Sequence, residues 1–269
     1  MLRIGKVTYA NLFPIFYMLE KKCDCSRYEF IEGVPSTLNR MLRNEEIDIS
    51  PSSSIEYLRY QNKYTIIEGH SISSKGPIGS ILLFSRRPIE RLDGLTVLTS
   101  AQSESSVALL DIIFKKFYKI NCYLRPTDKP FELVVNEAEA YLLIGDDALK
   151  AQKTVMDIYI YDLGELWYKN TELPFVFALW IVRKGCCTEK TELFEKFTGD
   201  LNKAKMLALK GLNKIAQELR PLLLSRHLLP VTDDELVSYW RGISYDFEDE
   251  HRRGLELFRM YSEELGLLA

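Results

Sequence analysis

Short apolar, β-like runs alternate with helix-patterned segments from the first residues of the chain. Four of the junctions between them are rich in Ser, Pro or Gly: Val34-Pro35-Ser36, Pro51-Ser52-Ser53-Ser54, residues 100–106 and Gly145-Asp146-Asp147. Strand–helix alternation of this kind folds into a largely parallel sheet covered by helices. At each junction the carboxyl end of a strand meets a helix N-terminus. Free backbone N–H groups and hydroxyls there favour an anion by about 0.3–1 kcal/mol. The pattern predicts an α/β protein built to grip a small acidic molecule.

The rest of the composition narrows the partners. With 269 residues, 46% hydrophobic and 27% charged, the chain can form one large or two modest domains with a sizeable core. Its net charge is -3 and no dense basic stretch interleaves with aromatics, so nucleic acid is not an expected partner. The longest apolar run, residues 175–182, falls far short of the roughly 20 residues that span a bilayer, which argues against membrane insertion. Residues 1–7 lack a signal peptide's apolar core and cleavage site and read as a first strand, so a cytoplasmic location is expected. Five cysteines make an odd set, and Cys23-Asp24-Cys25 has no second cluster to complete a zinc site. His70, His227 and His251 lie far apart in sequence, so no metal site is expected.

Strands are expected at residues 3–7, 28–32 and 47–50, with helices at 14–21, 35–43 and 53–60. Pro14 and Pro35 stand where a helix begins, a place that tolerates a missing N–H and a fixed φ. Residues 70–79 read as a Ser- and Gly-rich loop, and residues 80–85 as a buried strand ending at Arg86-Arg87-Pro88, where the first crossover between lobes is placed. A second α/β unit follows, with strands at 95–98, 121–124 and 140–144 and helices at 103–118 and 145–150. The apolar run 175–182 then returns the chain to the first lobe, like a central strand. From residue 188 the pattern is helical, with Phe194, Phe197, Leu201, Ala204 and Leu207 at three- and four-residue steps, and further helices at 233–239 and 249–265. The expected domains are 1–86 plus 183–269, carrying the C-terminal helices, and 87–182. Two crossing segments between two lobes predict a hinged cleft, a favoured place for a small ligand.

Several segments in order resemble one family: residues 4–14 (Ile-Gly-Lys-Val-Thr-Tyr-Ala-Asn-Leu-Phe-Pro), 33–39, 52–57, 142–149, 162–167 and 173–180. Together they are similar to the chorismate dehydratases of the futalosine route to menaquinone, over nearly the whole chain. Glu172 stands where the family pattern has glycine. The resemblance implies a two-lobed α/β fold like a type II periplasmic binding protein, with two crossover strands and a ligand cleft between the lobes. It also implies loss of water from chorismate to give 3-[(1-carboxyvinyl)oxy]benzoate, a reaction that needs no redox cofactor or metal.

For that chemistry the protein must orient two carboxylates, assist withdrawal of a ring proton beside the ether and help the hydroxyl depart. The resemblance puts Asn11 and Ser80 in catalytic positions. Read from the residues alone, Asn11 suits a helix cap better than a catalytic role, and Ser80 suits a hydroxyl bonded to a strand or turn carbonyl. The resemblance reverses the preference at Asn11. Tyr9, Ser52, Ser53, Ser54, Thr99, Ser100, Ser103, Ser105, Ser106, Gly145 and Asp146 are candidates to bind the substrate. Each charge-assisted hydrogen bond is worth about 1.5–3 kcal/mol, and the alternative for the hydroxyls is simple capping. Asp146 is a poor base beside an anionic substrate and competes for the role of N-cap. With no evident His or Lys base in these segments, a carboxylate of the substrate itself is the expected proton acceptor. Tyr9, Trp167, Phe175 and Trp180 could wall a ring-shaped ligand, although Phe175 and Trp180, on an apolar strand, suit core packing better, and the adjacent Arg86 and Arg87 suit solvent.

Two other readings compete. The naphthoate-forming synthase of the same pathway calls for a catalytic histidine where this chain has Gly145-Asp146. A non-catalytic intracellular binding protein for an aromatic acid would use the same clamp without turnover. The apolar C-terminal residues 265–269 suit either the parent lobe or a second copy in a homodimer.

Overall fold

The computed structural model describes residues 1–134, 137–225 and 232–268. His227 lies outside them. The chain divides into two compact units, Met1–Ile72 with Ala178–Phe247 and Ser73–Phe177 with Glu248–Ala269.

The first unit opens with β1 (Leu2–Val7), a short 3-10 turn (Ala10–Leu12) and α1 (Phe13–Lys22). Next come β2 (Tyr28–Gly33), α2 (Pro35–Arg43), β3 (Ile49–Ser53), α3 (Ser54–Arg59) and β4 (Tyr64–Ser74). Pro14 and Pro35 occupy the first turns of α1 and α2, where neither removes a helical hydrogen bond. β1 pairs in parallel with β2 and with β3. Gly5 lets β1 pass close to Ser50, since a Cβ there would come within 2.6 Å of the Ser50 hydroxyl.

In the second unit β5 (Ile81–Ser85) is followed by β6 (Thr96–Ser100) and α4 (Glu104–Ile112), which runs on through wider turns to Tyr118. Then come β7 (Tyr123–Thr127), α5 (Phe131–Val134), β8 (Ala140–Ile144), α6 (Gly145–Thr154), β9 (Tyr159–Asp162) and α7 (Leu163–Thr171). The strand order is β7-β6-β8-β5-β9. β6 is parallel to β7 and β8, while β5 is antiparallel to β8 and β9.

β10 (Phe175–Arg183) carries the chain back and completes the first sheet in the order β2-β1-β3-β10-β4, antiparallel to β3. Eight of its nine residues are buried, which accounts for its unbroken apolar sequence. The helical remainder is α8 (Lys184–Glu189), α9 (Thr191–Ser225, bent at Gly211), α10 (Asp233–Gly242) and α11 (Asp249–Glu264).

Three expectations are corrected. Residues 70–74, read as loop, belong to the 11-residue strand β4, which with β10 runs across the division. The first crossover therefore falls at 72/73, not at 86, and β5 lies wholly inside the second unit. The chain also crosses a third time, after Phe247, so α11 sits with the second unit, not with the first-lobe segment 183–269. The cause is packing. Phe258 of α11 meets Trp167 and Phe175 with ring centroids 6.4 and 4.9 Å apart, and Gly254 leaves room for the Pro174 carbonyl.

A buried ion cluster pins the amino ends of β1 and β3. The Asp48 carboxylate, fully buried, accepts from the Arg3 backbone N–H (2.8 Å), Arg183 Nε (3.0 Å) and Lys190 Nζ (2.6 Å). Burial alone would raise its pKa, but these donors hold it well below the usual carboxylate range. The cluster lies at the opposite edge of the sheet from the hydroxyl-rich junctions and acts as a structural clamp.

Candidate functional site

In the first unit the informative residues gather at the carboxyl edge of β1, β2 and β3. Gly33 pairs with Val7, and the register of Ile4 on Ile49 brings Val7 level with Ser52. Asn11 lies in the 3-10 turn just past that edge. It does not cap α1: Leu12 holds the N-cap position and no side chain caps the helix. Its Oδ1 is buried and has no hydrogen-bond partner. Tyr9, half-buried, opens the same turn, and its carbonyl accepts from the Leu12 N–H at 3.2 Å.

The three serines are strand and helix-start residues, not loop residues, because β3 extends to Ser53. Ser52 and Ser54 are fully buried and Ser53 nearly so. Ser53 is the N-cap of α3 by position, yet its side chain makes no capping bond. Instead its hydroxyl accepts from Asn39 Nδ2 at 2.9 Å. The Ser52 hydroxyl and Asn39 Oδ1 are buried without partners. Leaving such an atom unpaired costs about 1–3 kcal/mol, and native proteins hold few of them. Three belong to this carboxyl edge of the first sheet: Asn11 Oδ1, Asn39 Oδ1 and Ser52 Oγ. Asn39 stands outside the residues expected from sequence. Its signal is an amide within the apolar stripe of α2, between the buried Leu38 and Leu42.

In the second unit the corresponding edge is formed by the ends of β6, β7 and β8 with the start of the antiparallel β5. Ser80 is 3% exposed, and its carbonyl accepts from the Gly145 N–H at 2.7 Å. Gly145 opens α6 at φ +57°, a left-handed conformation that glycine adopts without strain. The loop before Ser80 is fixed by Asp162, whose carboxylate accepts from Ile78 N (3.1 Å), Gly79 N (2.6 Å), Gly164 N (2.9 Å) and Glu165 N (3.1 Å). Burial pushes the Asp162 pKa up against these four bonds, which pull it down.

The remaining hydroxyls of this unit differ in role. Ser103 caps α4, accepting from Ser106 N–H at 3.4 Å and lying 2.8 Å from the Ser106 hydroxyl. Ser100 accepts from Gln102 N–H at 3.2 Å in a local turn. Ser105 is buried. Thr99 is 1% exposed and its Oγ1 has no partner. Asp146 is the second residue of α6, with Ile144 at the N-cap position, so Asp146 is not the cap.

A pocket of about 220 Å³ within this unit is lined by Thr99, Ser100, Gln102, Phe131, Tyr141 and Lys150, among others. Lys150 is half-buried and pairs with no carboxylate among the described residues. In the sequence it shows only as a cation one turn into the helix that starts at Gly145.

Trp167, Phe175 and Trp180 are at most 2% exposed and pack in aromatic clusters, Trp167 against Phe175 at 5.1 Å and Trp180 against Phe16 at 5.6 Å. Arg87 pairs with Glu139 at 3.0 Å on the surface. All five cysteines are free thiols. Among the described residues no His, Cys, Asp and Glu side chains gather into a metal-holding group, and no helix is long and apolar enough to cross a membrane.

The family model described as menaquinone biosynthesis matches residues 2–264. A relative from Thermus thermophilus named chorismate dehydratase is 28% identical, over 98% of this chain and 95% of its own. Among solved structures, a protein of Archaeoglobus fulgidus matches with TM-score 0.80 and 19% identity, covering 99% of this chain and 98% of that one. The periplasmic aliphatic sulphonate binding protein of Escherichia coli matches with TM-score 0.68 and 14% identity, covering 99% and 93%. The two-lobed periplasmic-binding-protein fold is thereby shown.

Proposed function

The chain belongs to the menaquinone-biosynthesis family, and on that premise we propose that it is a lyase that dehydrates chorismate to 3-[(1-carboxyvinyl)oxy]benzoate. The observation that carries the reading is the set of buried polar atoms without protein partners at the carboxyl edges of the parallel strands: Asn11 Oδ1, Asn39 Oδ1, Ser52 Oγ and Thr99 Oγ1. Atoms so placed are available to hydrogen-bond a ligand at these edges. The Thermus thermophilus relative named chorismate dehydratase supports the choice of substrate.

In this account Asn11 and Ser80 are catalytic. Tyr9, Ser52, Ser53, Ser54, Thr99, Ser100, Ser105, Gly145 and Asp146 bind substrate, with the Lys150 ammonium as a counter-charge for a carboxylate. Ser103 contributes chiefly by capping α4, accepting from the Ser106 N–H. The ring proton beside the ether passes to a carboxylate of the substrate, the hydroxyl leaves as water and the ring becomes aromatic. Aromatisation supplies the driving force, so the protein's part is orientation and hydrogen bonding to the departing oxygen.

Side-chain replacement tests these roles. Asn11→Ala and Ser80→Ala each lower kcat by about 100-fold, equivalent to about 2.7 kcal/mol of transition-state stabilisation. Asp146→Asn keeps turnover, because no protein carboxylate takes the proton. An Asp146→Asn protein that binds chorismate but does not turn it over would reassign the base to Asp146.

A further inference from the structure

The 3-10 turn that carries Asn11 is held from outside by two aromatic side chains. Trp240 Nε1, on α10, donates to the Ala10 carbonyl at 2.8 Å. Three residues past that helix, the Tyr245 hydroxyl donates to the Asn11 carbonyl at 2.6 Å. Trp240 is fully buried and Tyr245 is 3% exposed, so water does not compete for these bonds.

Tyr245 is itself fixed. Its carbonyl accepts from the Ser71 N–H of β4 at 3.2 Å, and the next residue's carbonyl accepts from the Ser71 hydroxyl. The bond from Tyr245 to Asn11 thus ties the turn to the sheet through a short, rigid path. Burial holds the Tyr245 pKa well above its ordinary value, so the phenol remains a donor at all working pH.

Such bonds do more than stabilise. Asn11 lies in a single three-residue turn whose own hydrogen bonds are local: Leu12 N–H to the Tyr9 carbonyl and Phe13 N–H to the Ala10 carbonyl. A turn this short does not by itself fix where its side chain points, and the Asn11 Oδ1 has no protein partner to hold it. The restraint on Asn11 comes through its carbonyl. We propose that Tyr245, with Trp240, is a positioning residue that sets the orientation of the Asn11 amide for reaction. The inference rests on the reading of Asn11 as catalytic and extends it to residues more than 200 positions away in sequence.

The test is Tyr245→Phe, which removes one oxygen and keeps the packing, compared with Tyr28→Phe. Tyr28 donates to Asp200 at 2.7 Å in the same unit but at the amino end of β2, beside Leu2 and opposite the edge that carries Asn11, and serves as the purely structural control. In Tyr245→Phe, kcat falls by about tenfold or more while KM stays within about threefold. In the Asn11→Ala background the same change adds no further loss, whereas Tyr28→Phe leaves kcat per folded molecule unchanged.

A second arm does not depend on turnover. In protein labelled with [15N]asparagine, the side-chain amide signal of Asn11, identified by its disappearance in Asn11→Ala, shifts in Tyr245→Phe and not in Tyr28→Phe. An unshifted signal overturns the proposal. So does wild-type kcat in Tyr245→Phe, or a loss that adds to that of Asn11→Ala. A wild-type protein that leaves chorismate intact refutes the dehydratase reading instead, and the amide signal still decides whether Tyr245 orients Asn11.

Discussion

Replacing His70 by glutamine removes most of one acid-sensitive component of stability. His70 lies on β4, 2% exposed, with Nε2 2.7 Å from Asn202 Oδ1. Burial, assisted by the Lys205 charge, pushes its pKa down to about 4, while Asn202 and Asp246 pull the other way. The ring is therefore neutral in the folded protein at neutral pH and, once unfolded, titrates near 6.5. Below that pH the unfolded chain binds a proton that the folded chain refuses. Stability from this group is thus complete above about pH 6.5 and falls as the pH drops toward 4. With those two values, the loss between pH 7 and pH 5 is about 2 kcal/mol. Urea unfolding followed by circular dichroism at both pH values measures it, as the change in midpoint multiplied by the slope. The wild type should lose about 2 kcal/mol more than His70→Gln over this interval. Equal losses in the two proteins would mean instead that His70 titrates alike in the folded and unfolded states.

Two backbone positions give further predictions. Glu172 ends α7 at φ +57°, and a side chain in this left-handed C-cap costs about 1 kcal/mol relative to glycine; Glu172→Gly should raise the unfolding midpoint accordingly. In α11 a Cβ at Gly254 would overlap the Pro174 carbonyl oxygen and approach its carbon to 3.2 Å. Gly254→Ala therefore forces the helix off Trp167 and Phe175 and should cost about 2 kcal/mol or more, read as a lowered melting temperature.

What the sequence revealed was mostly local. Pro14, Pro35 and the glycine at 145 mark helix starts because each acts through its own φ or missing N–H, and the helices begin there. β8 and the long apolar strand β10 were legible because burial on both faces leaves a continuous apolar run. β4 was not, since its Ser- and Gly-rich half is a strand by virtue of its place beside β10 and of Ser71 bonding to Tyr245, contacts distant in sequence. For the same reason α11 was expected beside its neighbours in the chain, not on the Trp167 cluster that matches its apolar face. The glycine replaced at position 172 was noticed, but only the backbone shows that the position keeps the left-handed turn that favours glycine. At the candidate site, residue types pointed to strand–helix junctions without separating capping hydroxyls from unpartnered ones. Ser103 and Thr99 look alike as sequence, yet one caps a helix and the other is buried without a partner.

Catalysis is tested most directly by incubating the purified protein with chorismate and following the mixture by mass spectrometry. A dehydratase yields a product lighter than chorismate by one water, accumulating over many turnovers, with Asn11→Ala and Ser80→Ala largely inactive. Chorismate bound by a folded protein but recovered unchanged would contradict the dehydratase reading and identify the chain as a binding protein.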